Sequence, residues 1–337
     1  MHNNTILLGH GSGGTLSHEL LESIFFKYFK NSVLEKQTDS AVLHVSPSHL
    51  SFTTDSYVVN PIFFNGGNIG KLAVSGTVND LAVSGAKPLY ISVSFIIEEG
   101  LPVQELETVV QSMAEEAEKA GVLIVTGDTK VVERGKCDKL YINTTGIGQL
   151  EERFTNISYG TRVSKGDRII INGYIGDHGI AIMNERESLH FSSDIASDAE
   201  PLNHLISDII EHYPIHFMRD ATRGGVATVL VELASSLGFG IELDEQVLPV
   251  RESVKGLCEI LGFDPLYVAN EGKVIMVVPE AEAQHILNRM RTHEYGKDAA
   301  VIGEITSDHP GKVLLHTEIG GKRIVDMLAG EQLPRIC

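Results

Sequence analysis

A chain of 337 residues with 42% apolar side chains and a mean hydropathy of +0.04 can bury one large core or two ordinary ones, and two lobes is the better expectation. Its 45 Asp and Glu against 27 Lys and Arg give a net charge of −18, and the sum stays negative even with all 14 His protonated, which argues against a nucleic-acid or anionic-membrane partner. Three cysteines are too few and too odd in number for a disulfide framework, and no basic, apolar leader or 18-residue apolar run occurs, so the expectation is a soluble cytoplasmic protein.

In chain order, a short apolar run at 5–8 leads into the glycine-rich stretch Gly9 to Gly14. Leu16, Leu20, Leu21, Ile24, Phe25 and Tyr28 then recur at three- and four-residue steps, the spacing of an amphipathic helix that starts directly from a glycine loop. Strand-like runs at 41–45 and 50–59 follow. A helical stretch places Ile69, Leu72, Ala73, Leu81 and Ala82 inward and is ended by Gly85 and Pro88. Residues 89–98 read as a buried strand. Pro102 opens a helix lined on one face by Leu106, Val109, Val110, Met113, Ala117 and Ala120, and Gly121 stops it. Strands over 122–128 and 139–150 complete this unit, and 151–165 turn polar and aperiodic, as a boundary between lobes would. In the second half 168–176 reads as a strand, 225–238 as a helix with Val226, Val229, Leu230, Leu233 and Leu237 inward, 274–279 as a strand and 280–290 as a helix. Strands interleaved with long helices in both halves predict an α+β fold of two related lobes. From about Val325 no pattern holds, and a mobile tail is expected.

Gly9, Gly11 and Gly14 satisfy the spacing G-x-G-x-x-G, with Gly13 between them, but the preceding run is short and no acid-bearing second strand follows, so a dinucleotide fold does not follow from it. Thr15 stands where a P-loop would carry lysine. Two readings stand: a phosphate cradle of backbone N–H groups at a helix start, or a tight strand-to-helix turn. Asp39, Asp55, Asp80, Asp128 and Asp220 lie just beyond apolar runs or in small-residue turns, with Asn79 beside Asp80 and Lys130 near Asp128. Oxygen ligands without paired cysteines or spaced histidines suit Mg²⁺ rather than zinc, and Mg²⁺ goes with nucleotide phosphates; equally, each Asp can serve as a cap or turn residue. Cys337 is the last residue. Its thiol is either incidental or a swinging carrier, since about eleven extended residues span roughly 35 Å. Cys137 and Cys258 read as structural.

Taken together, the glycine loop, TDSAVL around Asp39, FTTDSYVV around Asp55, GTVNDLAVSGAKPLY around Asn79 and Asp80, VTGDTKVV around Asp128, RDATRGGV around Asp220, NEGKV around Glu271 and the terminal PRIC resemble the HypE family of hydrogenase maturation factors. That family shares a superfamily with aminoimidazole ribonucleotide synthetase, selenophosphate synthetase and thiamine-monophosphate kinase. NDLAVSGA and RDATRGG are superfamily-wide in style, and PRIC selects HypE. The resemblance spans the chain from the glycine loop to Cys337.

The resemblance implies two lobes of α/β-sandwich type: a glycine loop and helix over 1–37, an ATP-binding and dimerisation domain over 38–155, a second α+β domain over 156–325 and a mobile tail over 326–337. It implies ATP near Gly9, Gly11, Gly13, Gly14, Asn79, Asp80, Asp128 and Asp220, with Mg²⁺ on Asp39, Asp55, Asp80 and Asp128. A HypF carbamoyltransferase would load Cys337. The chain would dehydrate the S-carboxamide to a thiocyanate using ATP, with Lys130 stabilising charge and Glu271 accepting a proton. Cyanide would pass to a HypC–HypD complex on the way to the [NiFe] centre, and the enzyme would act as a homodimer. The other expectation is a superfamily member acting on a free small molecule, for which the tail has no role.

Overall fold

The computed structural model describes residues 4–11, 15–36, 43, 49–186, 195–328 and 336–337. The run expected at 41–45 lies, Leu43 apart, outside them. Behind a short 3₁₀ turn at Leu8–Gly11 come α1 (Thr15–Leu20), a π turn over Leu21–Phe25 and α2 (Phe26–Phe29). Of the stripe that the sequence spacing predicts, Leu20, Ile24 and Phe25 are buried and Leu16, Leu21 and Tyr28 half-buried, and Phe29, outside that expectation, is buried as well.

Next come β1 (His49–Tyr57), the small hairpin β2 (Phe63–Phe64) and β3 (Gly67–Asn68), and α3 (Ile69–Val83). Asn68 caps α3, its side chain accepting from the N–H groups of Gly70 and Lys71. Then follow β4 (Lys87–Glu98), α4 (Val103–Ala120), β5 (Leu123–Val132) and β6 (Leu140–Leu150). Gly121 ends α4 in the left-handed region, φ 71°, its N–H bonding the Ala117 and Glu118 carbonyls. The four strands form one sheet in the order β1-β6-β4-β5, antiparallel except for β4 and β5, which the α4 crossover joins in parallel. One face of this sheet, with Ile91, Val93, Phe95, Ile97, Leu140 and Ile142, packs on the helices. The other carries Leu50, Phe52 and Ile96, exposed at 54%, 68% and 43%.

Two 3₁₀ turns over 152–159 lead to the second lobe. Its elements are β7 (Arg168–Ile171), α5 (Asp177–Arg186), α6 (Asn203–His212), β8 (Phe217–Asp220), α7 (Gly225–Leu237), β9 (Gly240–Asp244), α8 (Glu252–Leu261), β10 (Val274–Val278), α9 (Glu280–Met290), β11 (Ala300–Thr306), β12 (Val313–His316) and β13 (Lys322–Val325). Seven strands make the sheet β13-β12-β9-β11-β7-β10-β8, parallel only between β12 and β9. Ile169, Ile171, Ile275 and Val277 pack with α7 on one face, while Ile170, Met276 and Val278 pack with α6 and α9 on the other. The unbroken apolar run of β10 is thus a strand covered on both sides.

The expectation of an inward stripe on 69–82 is too narrow. Val74, Ser75, Gly76, Thr77, Val78 and Asn79 are buried as well, because α3 is enclosed by its own sheet, by α4 and by the second lobe. Two glycines permit this: a Cβ on Gly70 would fall 2.4 Å from the Val109 carbonyl oxygen, and one on Gly76 2.3 Å from the Tyr57 hydroxyl. Across the lobe junction Lys71 and Lys119 both pair with Glu200.

Candidate active site

Where α3 meets the second lobe, four carboxylates and the terminal thiol converge. Alternation along β1 turns Thr53, Asp55 and Tyr57 toward α3, so Thr53 Oγ1 donates to Asp80 Oδ2 at 2.6 Å and the Tyr57 hydroxyl to Asp55 Oδ2 at 3.4 Å. Asp220 closes β8, and Glu271 precedes β10, the strand that pairs with β8. Glu271 is 4% exposed and held at both backbone groups: its N–H donates to Asp198 Oδ1 at 3.0 Å, and its carbonyl accepts from Asn79 Nδ2 at 2.9 Å. Asp198 is itself paired with Lys273 at 2.7 Å.

The electrostatics follow from crowding. Burial, then the charges of Asp198, Asp220, Asp55 and Asp80, pushes Glu271 well above the usual carboxylate range. Burial and the Asp220 charge lift Asp80 to about 7, and burial, with Asp55 adding to it, lifts Asp220 to about 6. Glu271 Oε1 is buried with no hydrogen-bond partner among the described residues. Cys337 Sγ accepts from Arg223 Nε at 3.0 Å. Burial and the Glu271 charge raise the thiol to about 11, with Arg223 opposing them, so the docked thiol is protonated at neutral pH.

A repelling set of hard oxygen donors with one orphaned carboxyl oxygen is chemically suited to Mg²⁺ and phosphate. The set is open: among the described residues no three His, Cys, Asp or Glu side chains close around one point as a metal cage.

The N-terminal domain of the AIR synthase related proteins matches residues 37–150, and the C-terminal domain of the same proteins matches 164–316. Carbamoyl dehydratase HypE of Rhodobacter capsulatus is 49% identical over 340 residues, covering 100% of this chain and 99% of that protein. A crystal structure of the hydrogenase maturation protein HypE in complex with ATP superposes with a TM-score of 0.94 at 47% identity, over 99% of this chain and 100% of that one. The chain belongs to the carbamoyl dehydratase HypE family. A crystal structure of a HypE–HypF complex also matches, with a TM-score of 0.80 and 49% identity over 92% of this chain and 99% of that one.

Within this HypE-family chain the expected site residues sort into two groups. Asp55, Asp80, Asp220, Glu271 and Cys337 come together as described. Asp128 and Lys130 do not join them. Their strand partners are Ser94 and Ile96, on the sheet face turned away from α3, and β5 lies at the opposite sheet edge from β1. Lys130 Nζ instead pairs with Asp128 Oδ1 at 2.9 Å, both side chains more than half exposed. They share a cavity of about 420 Å³ with His10, Ser17, Phe25, Phe29 and Phe95. Gly9 and Gly11 lie in the 3₁₀ turn, where His10 Nδ1 accepts the Leu7 N–H at 2.9 Å; Asp39, Gly13 and Gly14 lie outside the described residues.

Asn79, expected among the nucleotide contacts, is engaged by protein groups in this structure. Its amide donates to the Glu200 and Glu271 carbonyls and accepts the Leu202 N–H at 2.7 Å, all within the interior. It positions the Glu271 backbone. Asn270 is likewise engaged, accepting from Gly176 N–H and donating to the Ala221 carbonyl. Sequence reasoning missed Arg223, although it lies inside the quoted RDATRGG; nothing in a single sequence marks Asp198 or His178.

Proposed function

We propose that this chain dehydrates a carbamoyl group carried on its own Cys337, using ATP, and so makes the thiocyanate from which the cyanide of a [NiFe] hydrogenase centre is drawn. The observation that carries this reading is the last residue docked beside Glu271, in the same site as the ATP-suited carboxylates. The family name and the ATP-bound relative support the same chemistry.

The reaction is S–C(=O)–NH₂ plus ATP giving S–C≡N, ADP, inorganic phosphate and a proton. The carboxamide oxygen is a poor leaving group until it takes the γ-phosphoryl; the C–O bond then breaks as phosphate departs and both N–H protons are removed. Mg²⁺, when bound, offsets phosphate charge. Asp55 and Asp80 would each supply it an oxygen. Glu271, whose buried carboxyl binds a proton more tightly than an ordinary carboxylate, is the group placed to accept a proton from the carboxamide nitrogen. Arg223 fixes the sulfur. The protonated docked thiol is a weak nucleophile, so carbamoylation by a HypF partner takes place with the tail undocked.

The exposed face bearing Leu50, Phe52 and Ile96 supports a homodimer formed through the first sheet. Lys130 lies on that face, and we place its charge-stabilising role, with Asp128, in the assembled dimer. The glycine loop is assigned to phosphate cradling, a HypC–HypD complex to cyanide acceptance, and the cytoplasm to the whole sequence of steps. Intact-mass measurement tests the reading. A protein loaded by HypF with carbamoyl phosphate gains one carbamoyl group and then loses one water on adding Mg·ATP; retention of that water with ATP consumed would overturn it.

A further inference from the structure

The docked C-terminus is held by more than its thiol. Ile336 is 5% exposed within the same buried cluster as Phe64, Ile180 and Ala269. A backbone oxygen of Cys337 accepts from the Val58 N–H at 3.1 Å, in the first lobe. The Ile336 carbonyl meets Nε2 of His178, the second residue of α5 in the second lobe, at 2.7 Å. His178 is completely buried and its other nitrogen, Nδ1, lies 2.8 Å from Ser197 Oγ.

The chemistry of these partners fixes the direction of every bond. A carbonyl only accepts, so Nε2 carries the proton; burial, which pushes the ring below its ordinary pKa, keeps it singly protonated, and Nδ1 is then the acceptor of the Ser197 hydroxyl proton. Ser197 Oγ in turn accepts the Ala199 N–H at 3.2 Å. Ser197 is fixed by the first lobe, its N–H donating to the Asn65 carbonyl at 2.8 Å, and Phe64 stands edge-on to the imidazole at 5.8 Å. The result is a preorganised donor aimed at one peptide carbonyl, one residue before the thiol.

We infer that His178 is a positioning residue that recognises the penultimate carbonyl of the C-terminal tail and sets the register of Cys337 against Glu271 and Arg223. It does not touch the reacting atoms. The catalytic consequence rests on the dehydratase reading, whereas the docking itself does not.

The test is cysteine labelling by iodoacetamide on the full-length chain, read cysteine by cysteine by mass spectrometry, with His178→Asn and His178→Gln. Asn keeps a group near Nδ1 and loses the Nε2 donor; Gln carries an amide N–H at the Nε2 position. Losing one buried hydrogen bond shifts the docking balance, so His178→Asn labels Cys337 about tenfold faster, and His178→Gln stays within about threefold of the parent. Cys137 and Cys258, both buried, keep the parent rate in each variant. An unchanged Cys337 rate in His178→Asn overturns the inference. So does equal acceleration of all three cysteines, which marks a general loosening of the fold, and so does equal acceleration of Cys337 by Gln and Asn, which removes the donor from the account. On carbamoylated protein, His178→Asn slows dehydration about tenfold with ATP affinity unchanged, and His178→Gln restores the rate. Labelling requires neither ATP nor carbamoyl donor, so its failure is distinct from failure of the dehydratase reading.

Discussion

Neutralising Asp80 should stabilise the ligand-free protein near neutral pH and flatten the dependence of its stability on pH. Asp80 ionises at about 7 in the folded chain, because burial and the Asp220 charge oppose its charged form, against about 4 in an unfolded one. A raised folded-state pKa means that the folded chain binds the proton more tightly. The stability it contributes is therefore present at low pH and is lost as pH rises through about 7. Between pH 5 and 7 the unfolded Asp80 is ionised and the folded one is not, so stability falls by about 1.4 kcal/mol per pH unit for this group alone. Asp220 adds a second slope that ends near pH 6. In a chain of this length the Asp80 slope corresponds to roughly 2–3 °C of melting temperature per unit. Asp80→Asn keeps an oxygen to accept from Thr53 and removes that slope. The assay is thermal unfolding from pH 5 to 8 in EDTA, without nucleotide, for parent and variant. A parent melting temperature that is flat or rises between pH 5 and 7, or an Asp80→Asn variant with the parent slope, would refute the reasoning.

Four further outcomes follow from the geometry. Lys273→Met strips the partner from buried Asp198 and should cost about 3–5 kcal/mol, seen as a denaturant midpoint shift. Because Asp198 also holds the Glu271 N–H, Asp198→Asn should lower the dehydration rate while leaving ATP affinity unchanged. Gly70→Ala drives a Cβ to 2.4 Å from the Val109 carbonyl; a loss of roughly 2–3 kcal/mol in chemical denaturation is expected, against a gain of a few tenths had the site been open. Arg223→Met removes the charged donor to Cys337 Sγ and should slow dehydration of the carbamoylated tail about tenfold or more, with Arg223→Lys recovering part of it in single-turnover measurements.

Much of the architecture is legible in residue spacing. Pro102 and Gly121 bracket α4, and the unbroken VIMVV run identifies β10 as a strand covered on both faces. The shorter pieces are not. β8 and β12 have four residues each, too few for a period to show, and the strand expected over 168–176 ends at Ile171 before Gly173 and Gly176. The fully enclosed helix α3 carries polar Ser75, Thr77 and Asn79 inside, where a stripe would put them outward, because a second lobe 120 residues further along supplies partners for Asn79. The same limit governs the site. Asp55, Asp80, Asp220 and Glu271 are visible as acids in small-residue motifs, but strand parity, which turns Asp128 to the other face of the sheet, emerges only from the register with β4. His178 meets the tail across 158 residues of sequence, and no local signal encodes that contact.

The central claim is that Cys337 bears the carbon that becomes cyanide. Infrared spectroscopy of the protein loaded from ¹³C-carbamoyl phosphate and then given Mg·ATP tests it most directly. The expected result is a nitrile stretch that shifts with the isotope, requires hydrolysable ATP and is absent from Cys337→Ala. A nitrile band that persists in Cys337→Ala, or a carbamoylated Cys337 that yields no band while ATP is consumed, would contradict it.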